Sequence, residues 1–358
     1  MLYREAGQFK TSYAADRAIF PIVQDRWFII AVLMAAYVVV PFVASPYLLV
    51  TILIPSLIFC IAALGLNVLT GYAGQLSLGT GGFMAVGAYA TFKMTTMFPE
   101  LNIIVVFLIS GLFAAAVGVV FGIPSLRIKG FYLAVATLAA QFFLVWLFNR
   151  VAWFSNYDPS GTISMPPRAF LGIDIAGSGA TPVARYLVVL TFVAVFCLLV
   201  KNLVRSRTGR IWMAVRDMDI AAEIMGIRLM WAKLSAFAIS SYLCGVAGAL
   251  YFAIYLRTVE TIAFDVVISF LVLFMIIVGG LGSVLGSILG AFFIIAIPIL
   301  LTRTPELFGI PISTDLSQHL EVIIFGGLII FFLIVEPHGL ARLWQIAKEK
   351  LRRWPFPY

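Results

Sequence analysis

Catalysis and metal binding need clustered side chains that move protons, attack or ligate, and this 358-residue chain keeps such groups apart. Its two histidines, His319 and His338, are distant from each other and lack ligand spacing. Cys60, Cys197 and Cys244 fall in long apolar runs, where they read as small packing residues and not as a disulfide framework. With no cluster of His, Asp or Glu in those runs, the expectation is no catalytic residue, no metal and no cofactor. Two kinds of chemistry remain: hydrogen bonding by uncharged groups and close packing at glycine. Both concentrate in Gly71-Tyr72-Ala73-Gly74-Gln75-Leu76-Ser77-Leu78-Gly79-Thr80-Gly81-Gly82-Phe83, just after Asn67 and Thr70. Glycine destabilises a helix by about 1 kcal/mol relative to alanine. Such a run serves either close approach of helix backbones or a break whose freed backbone groups face a cavity. In the first case Gly71, Gly74 and Gly79 pack helices. In the second, Asn67, Thr70, Gln75, Ser77 and Thr80 line a path for a polar or zwitterionic solute. A second glycine set, Gly282, Gly286 and Gly290, steps by four residues and reads as one helix face in tight contact with another.

The elements that position these groups are membrane-spanning. Hydrophobic residues make up 63% of the chain and charged ones 11%, where a soluble domain runs near 25% charged. The hydrocarbon core of a bilayer, about 30 Å thick, takes roughly 20 apolar residues as a helix. Apolar runs place spans at Trp27–Ala44, Leu48–Leu69, Gly71–Phe92, Ile103–Gly122, Phe131–Phe148, Tyr186–Val204, Leu234–Tyr255, Val266–Val278, Val284–Leu301 and Val322–Val335. Helix is the expected form, because backbone groups in lipid must bond within their own segment. The fold class is therefore all-α integral membrane, with about ten transmembrane helices. The spans are nearly free of ionisable groups, and Asp265 and Glu321 stand only at their predicted edges. Ion-coupled carriers commonly keep such groups at depth, so energy is expected to enter from outside the bilayer.

With the N-terminus inside, the outer segments hold Lys93, Arg150, Arg168, Arg185, Arg257 and Arg303, and all the rest of the 24 Lys and Arg residues lie inside. That asymmetry is the positive-inside pattern, and it accounts for the net charge of +8 without nucleic-acid binding. A mixed-charge segment of 26 residues precedes the first span, unlike a cleavable signal peptide. The expectation is an uncleaved multi-pass protein of a bacterial inner membrane with both termini cytoplasmic. Its parts are an N-terminal segment 1–26, a membrane body 27–340 and a basic tail 341–358. The body carries an outer loop 149–184, expected as an ordered loop or short helices, and an inner loop 205–233. The second to fifth spans and the seventh to tenth form equal groups entering from opposite sides. That arrangement predicts two inverted-topology repeats with broken, Gly-rich helices, although no residue-level match joins the halves.

The inner loop contains Ala214-Val215-Arg216-Asp217-Met218-Asp219-Ile220-Ala221-Ala222-Glu223-Ile224-Met225-Gly226-Ile227. Asp217 or Asp219 can cap a helix start, and Gly226 suits a left-handed stop. The expected helix is too short to span. It either docks in a groove of a soluble partner or lies at the membrane interface.

Five ordered blocks give the chain a resemblance. They are Ala63-Leu64-Gly65-Leu66-Asn67 with Gly71 to Gly79 and Gly87-Ala88-Tyr89; Arg127 to Ala134; Gly209-Arg210 through Met225-Gly226-Ile227; Gly279 to Ser283; and Glu336-Pro337-His338-Gly339-Leu340. Together they resemble the LivM-type permease subunits of high-affinity branched-chain amino-acid ATP-binding-cassette importers, over nearly the whole chain after its N-terminal segment. The resemblance implies a homologous second permease subunit, two ATP-binding-cassette ATPase subunits and an extracytoplasmic solute-binding protein. It implies ATPase coupling through Arg216, Asp217, Asp219, Ala221, Ala222, Glu223 and Gly226. The chain has no G-x-x-x-x-G-K-[ST] loop of its own, so hydrolysis is expected on partner subunits. It departs from many members at Thr80-Gly81-Gly82, where they carry a His followed by small residues, and that leaves the solute open. Branched-chain or related amino acids lead, with urea, amides or aromatic acids in a same-family permease as the alternative. A stand-alone carrier or channel, working without partners, is the remaining reading.

Overall fold

The computed structural model describes residues 23–125, 132–158, 160–170, 172–177, 179–307, 314–336 and 338–353. The segment Arg127–Phe131, Pro337 and most of the N-terminal segment lie outside the described residues, as do the side chains of Arg303, His319 and Glu321. The helices are α1 (Asp25–Val43), α2 (Pro46–Tyr72), α3 (Thr80–Met97), α4 (Ile103–Ser125), α5 (Tyr132–Arg150), α6 (Pro182–Arg205), α7 (Arg207–Asp217), α8 (Asp219–Ile224), α9 (Leu229–Leu256), α10 (Val266–Gly279), α11 (Val284–Leu307), α12 (Thr314–Val335) and α13 (Gly339–Arg353). Seven segments among the described residues are long and apolar enough to cross a membrane: α1, α2, α4, α5, α6, α9, and α10 with the turn before it. Shorter apolar stretches lie in α11 and α12. This is an all-α, multi-pass membrane protein.

Two ends of the bundle are distinct. At one, the hairpin face, β1 (Ile163–Ser164) pairs antiparallel with β4 (Thr258–Val259), and β2 (Arg168–Phe170) with β3 (Ile173–Ala176). The 149–184 segment, expected as a loop or short helices, is thus built of turns and two-stranded ribbons. Asp158 stands ahead of β1, its carboxyl held below the usual value by the Ser160 hydroxyl and N–H that donate to it. At the other end, the clasp face, α2 finishes beside α7 and the α10–α11 turn. There α13 packs on α1 through Phe28 and Trp344, and Lys348 pairs with Asp25 at 2.9 Å.

The helix neighbours map onto one another when α2, α3, α4 and α5 are exchanged for α9, α10, α11 and α12. The pairs α9–α4, α9–α3, α3–α4, α3–α5 and α4–α5 have counterparts in α2–α11, α2–α10, α10–α11, α10–α12 and α11–α12. The pairs α2–α9 and α3–α10 map onto themselves. Most neighbour pairs of the two groups thus answer to one another. The leading helix of α2 to α5 runs toward the clasp face, and that of α9 to α12 runs away from it. Both leaders also end alike, in a π-helical turn: Val68–Tyr72 in α2 and Tyr251–Leu256 in α9. Glycine permits the closest crossings. A Cβ on Gly87 would overlap the Gly245 carbonyl, and one on Gly248 the Met84 carbonyl, so α3 and α9 touch backbone to backbone.

Two sequence expectations shift. The third span does not run from Gly71, because residues 73–79 are non-helical and α3 starts at Thr80. The second glycine face holds only Gly286 and Gly290, which pack α11 on the Gly279 and Met275 backbone of α10. Gly282 stands in the turn ahead of the helix with φ +74°.

Candidate translocation junction and coupling surface

The break at residues 73–79 joins two polar centres. The first lies at the clasp face. Asn67, in the last α-helical turn of α2, uses its whole carboxamide to hold the α10–α11 turn. Its Nδ2 donates to the Ser283 carbonyl and the Ser287 hydroxyl, both at 2.8 Å, and its Oδ1 accepts from the Gly282 N–H at 2.8 Å. Gly71 is squeezed between them, since a Cβ there would overlap both Asn67 Oδ1 and Gly282 N. The Gly71 carbonyl, freed by the π-helical end of α2, accepts from Arg216 Nη1 at 2.8 Å. Arg216 also binds Asp217, its neighbour, at 2.8 Å. Its stem lies over Gly74, whose φ of +67° and 2.7 Å clearance to Arg216 Cγ exclude a side chain. One guanidinium thus clasps the glycine-rich break to the loop that carries α7 and α8.

Beyond Gly74 the segment alternates inward and outward, with Gln75 and Ser77 buried and Leu76 and Leu78 partly exposed. Thr70 donates to the Gln75 carbonyl at 3.1 Å. Both amide atoms of the Gln75 side chain are buried without a described protein partner. Leu78 N–H donates to Thr137 Oγ1 at 2.9 Å, tying the break to α5.

The second centre is deep in the bundle. Thr80, buried, opens α3, and the next two N–H groups find side-chain acceptors on other helices. Gly81 N–H donates to Ser269 Oγ of α10 at 2.8 Å, and Gly82 N–H to Gln141 Oε1 of α5. Gln141 Nε2 donates to the Phe264 carbonyl at 2.7 Å. Gln141 is the middle residue of the 19 in α5, about 14 Å from either end at 1.5 Å per residue. The starts of α3 and α10 therefore meet at the level of the middle of α5. Asp265, expected at a span edge, sits here, directly after Phe264 and with its carbonyl 3.1 Å from where a Gly81 Cβ would be. The reason is the 3₁₀ turn Thr261–Phe264, which carries the chain inward before α10 begins. Asp265 thus stands near the start of the apolar segment Thr261–Gly279, four residues in from its first residue.

The loop after α6 differs from one short helix. A break at Met218, with φ −153° and ψ 95°, separates α7 from α8. Trp212, fully buried, donates from Nε1 to Ser235 Oγ at 3.0 Å and fixes α7 to α9. Asp219 accepts from Ile220 N–H at 2.9 Å within the first turn of α8. Ala222 is fully buried against the body, Ala221 is partly buried, and Glu223 is exposed. Gly226, with φ +85°, ends the helix in the left-handed region. On the free side Met218, Ile220, Ile224 and Met225 are all at least 70% exposed. Such an apolar group on a polar loop marks a contact surface.

These blocks have relatives. A family model for the branched-chain amino acid transport system, permease component, matches residues 48–333. The chain belongs to that family. It is similar to the high-affinity branched-chain amino acid transport system permease protein LivM of Escherichia coli K12, with 33% identity over 89% of this chain and 75% of the relative. The corresponding Salmonella typhimurium LT2 protein is 32% identical over the same shares. A probable branched-chain amino acid transport permease protein LivM of Methanocaldococcus jannaschii is 25% identical over 74% of this chain and 78% of its own. No solved structure gives a significant match. Membership makes this permease a transport subunit and not an enzyme, one component of a larger system.

Sequence reasoning passed over Gln141, Ser269 and Ser287. A signal existed for the first, since Gln141 is the one carboxamide in the apolar middle of α5. No signal existed for the serines, which occur throughout the chain and gain meaning only from their neighbours.

Proposed function

We propose that this permease is the membrane-spanning subunit of an ATP-binding-cassette importer for branched-chain or related amino acids, in a bacterial inner membrane with both termini cytoplasmic. Its partners are a homologous second permease subunit, two ATPase subunits and an extracytoplasmic solute-binding protein. The clasp face is the cytoplasmic one, and the hairpin face receives the binding protein.

One observation carries the reading: the exposed apolar group around α8 begins two residues beyond the arginine that clasps the glycine break. A partner that grips Met218, Ile220, Ile224 and Met225 pulls on Arg216, and Arg216 pulls on Gly71. Asn67 hands that displacement to the α10–α11 turn, so both helical groups respond together. Arg216, Asp217, Asp219, Ala221, Ala222, Glu223 and Gly226 form the coupling element. Gln75, Ser77 and Thr80, with Thr70 and Asn67 at the inner end, line the path that alternating access opens. Gly71, Gly74, Gly79, Gly286 and Gly290 allow the close contacts around it, and Gly282 supplies the positive-φ turn ahead of α11. The relatives, all named as branched-chain amino acid transport permeases, support this solute class over urea, amides or aromatic acids.

The test is reconstitution in liposomes with and without the partner subunits. Uptake of labelled leucine should need ATP, both ATPases and the binding protein together. Uphill uptake by this chain alone, driven by a sodium or pH difference, rejects the assignment.

A further inference from the structure

We infer that the Asp265 carboxylate binds the ammonium group of the solute in transit, so that the membrane path itself, and not only a binding protein, selects amine-bearing solutes. This rests on the transport reading above and narrows its solute class.

The first ground is depth. Asp265 follows Phe264, whose carbonyl is held by Gln141 at the middle of α5. The 14 residues of α10 rise about 21 Å from Asp265 to the clasp face. That leaves Asp265 about 10 Å below the far boundary of a 30 Å hydrocarbon layer. The second ground is bonding. One carboxylate oxygen, Oδ1, accepts from Val266 N–H at 2.6 Å and caps α10. No described cation forms an ion pair with the group. The third ground is access. Asp265 is partly exposed, between Ile262 and Val267, which are 72% and 67% exposed. A charged group at this depth does not face hydrocarbon; it faces protein or a watered path. The exposed edge of the α3–α10 crossing is therefore the wall of that path, closed on its far side by the second permease subunit. A carboxylate there favours a cationic head group and disfavours anionic solutes. Urea and neutral amides gain no charge interaction, whereas an α-amino acid does. Its ammonium donates to the free oxygen of Asp265.

Asp265→Asn separates charge from structure, because asparagine caps a helix about as well as aspartate. The assembled transporter, with ATPases and binding protein, is compared in liposomes as wild type, D265N and D265E, using labelled L-leucine. Assembly, basal ATP hydrolysis and melting temperature are measured on the same preparations. The expected result is at least a tenfold loss of leucine uptake in D265N, partial recovery in D265E, and no change in the other readouts. Uptake by D265N above half the wild-type rate overturns the assignment, as does an equal loss in D265E. A drop in melting temperature or assembly equal to the drop in uptake also overturns it, because it makes Asp265 structural. A wild-type complex that takes up no leucine with ATP rejects the transport reading and this inference with it.

Discussion

Removing the Arg216 guanidinium should cut the mechanical link while leaving the motor surface whole. In Arg216→Ala, the Gly71 carbonyl loses its 2.8 Å donor, and the cover over Gly74 disappears. A hydrogen bond from a charged donor contributes roughly 1.5–3 kcal/mol. The Arg216 side chain is 38% exposed, so water replaces part of it and the lower value, about 1.5 kcal/mol, applies. That energy is about tenfold in the equilibrium between a loop that moves with the break and one that moves without it. Exposed Met218, Ile220, Ile224 and Met225 are untouched, so ATPase docking persists. The assay measures phosphate release and leucine uptake in one liposome preparation. Hydrolysis should stay within about twofold while leucine moved per ATP falls about tenfold. Arg216→Lys, which keeps the charge but not the planar fork shared with Asp217, should fall between. An unchanged ratio refutes the clasp. A parallel loss of hydrolysis and uptake refutes it too, by making Arg216 part of the docking surface.

Three further outcomes follow from the same geometry. Gly226→Pro cannot keep φ at +85°, because proline holds φ near −65°; transport should be lost with normal abundance in the membrane, and normal uptake would count against α8 as the coupling helix. Gln75→Leu removes a buried carboxamide that lacks a described partner, so the melting temperature should rise by the equivalent of about 1 kcal/mol while leucine uptake drops; a rise with full uptake would leave Gln75 off the path. Asn67→Leu deletes three hydrogen bonds and strands the Gly282 N–H, and should cost about 3 kcal/mol in a detergent melt; a loss below about 1 kcal/mol would mean that the junction is held by packing at Gly71 instead.

Membrane class, most of the apolar helices and the polar loop that carries α7 and α8 were legible from composition, charge placement and glycine spacing. Lipid imposes this legibility: an apolar run of span length admits one secondary structure and excludes charge, whatever it packs against. The candidate site stood out only as a neighbourhood. Asn67, Thr70, Gln75, Ser77 and Thr80 stood out together, yet nothing along the chain separates Asn67, whose amide is fully used between helices, from Gln75, whose amide has no described partner. The expected repeat rested on a count of spans, and the helix neighbours are what pair one group's helices with the other's.

Tertiary structure alone decided pairing. Asp265 opens an apolar run in the sequence; the 3₁₀ turn before α10 is what puts it beside Gln141. Arg216 and Gly71 are far apart along the chain and meet only because α2 ends in a π-helical turn next to α7. Local sequence fixes what a segment can be in a bilayer, because each backbone group must find its bond nearby. Which side chains meet is settled by how the helices cross, and that depends on residues distant in the chain.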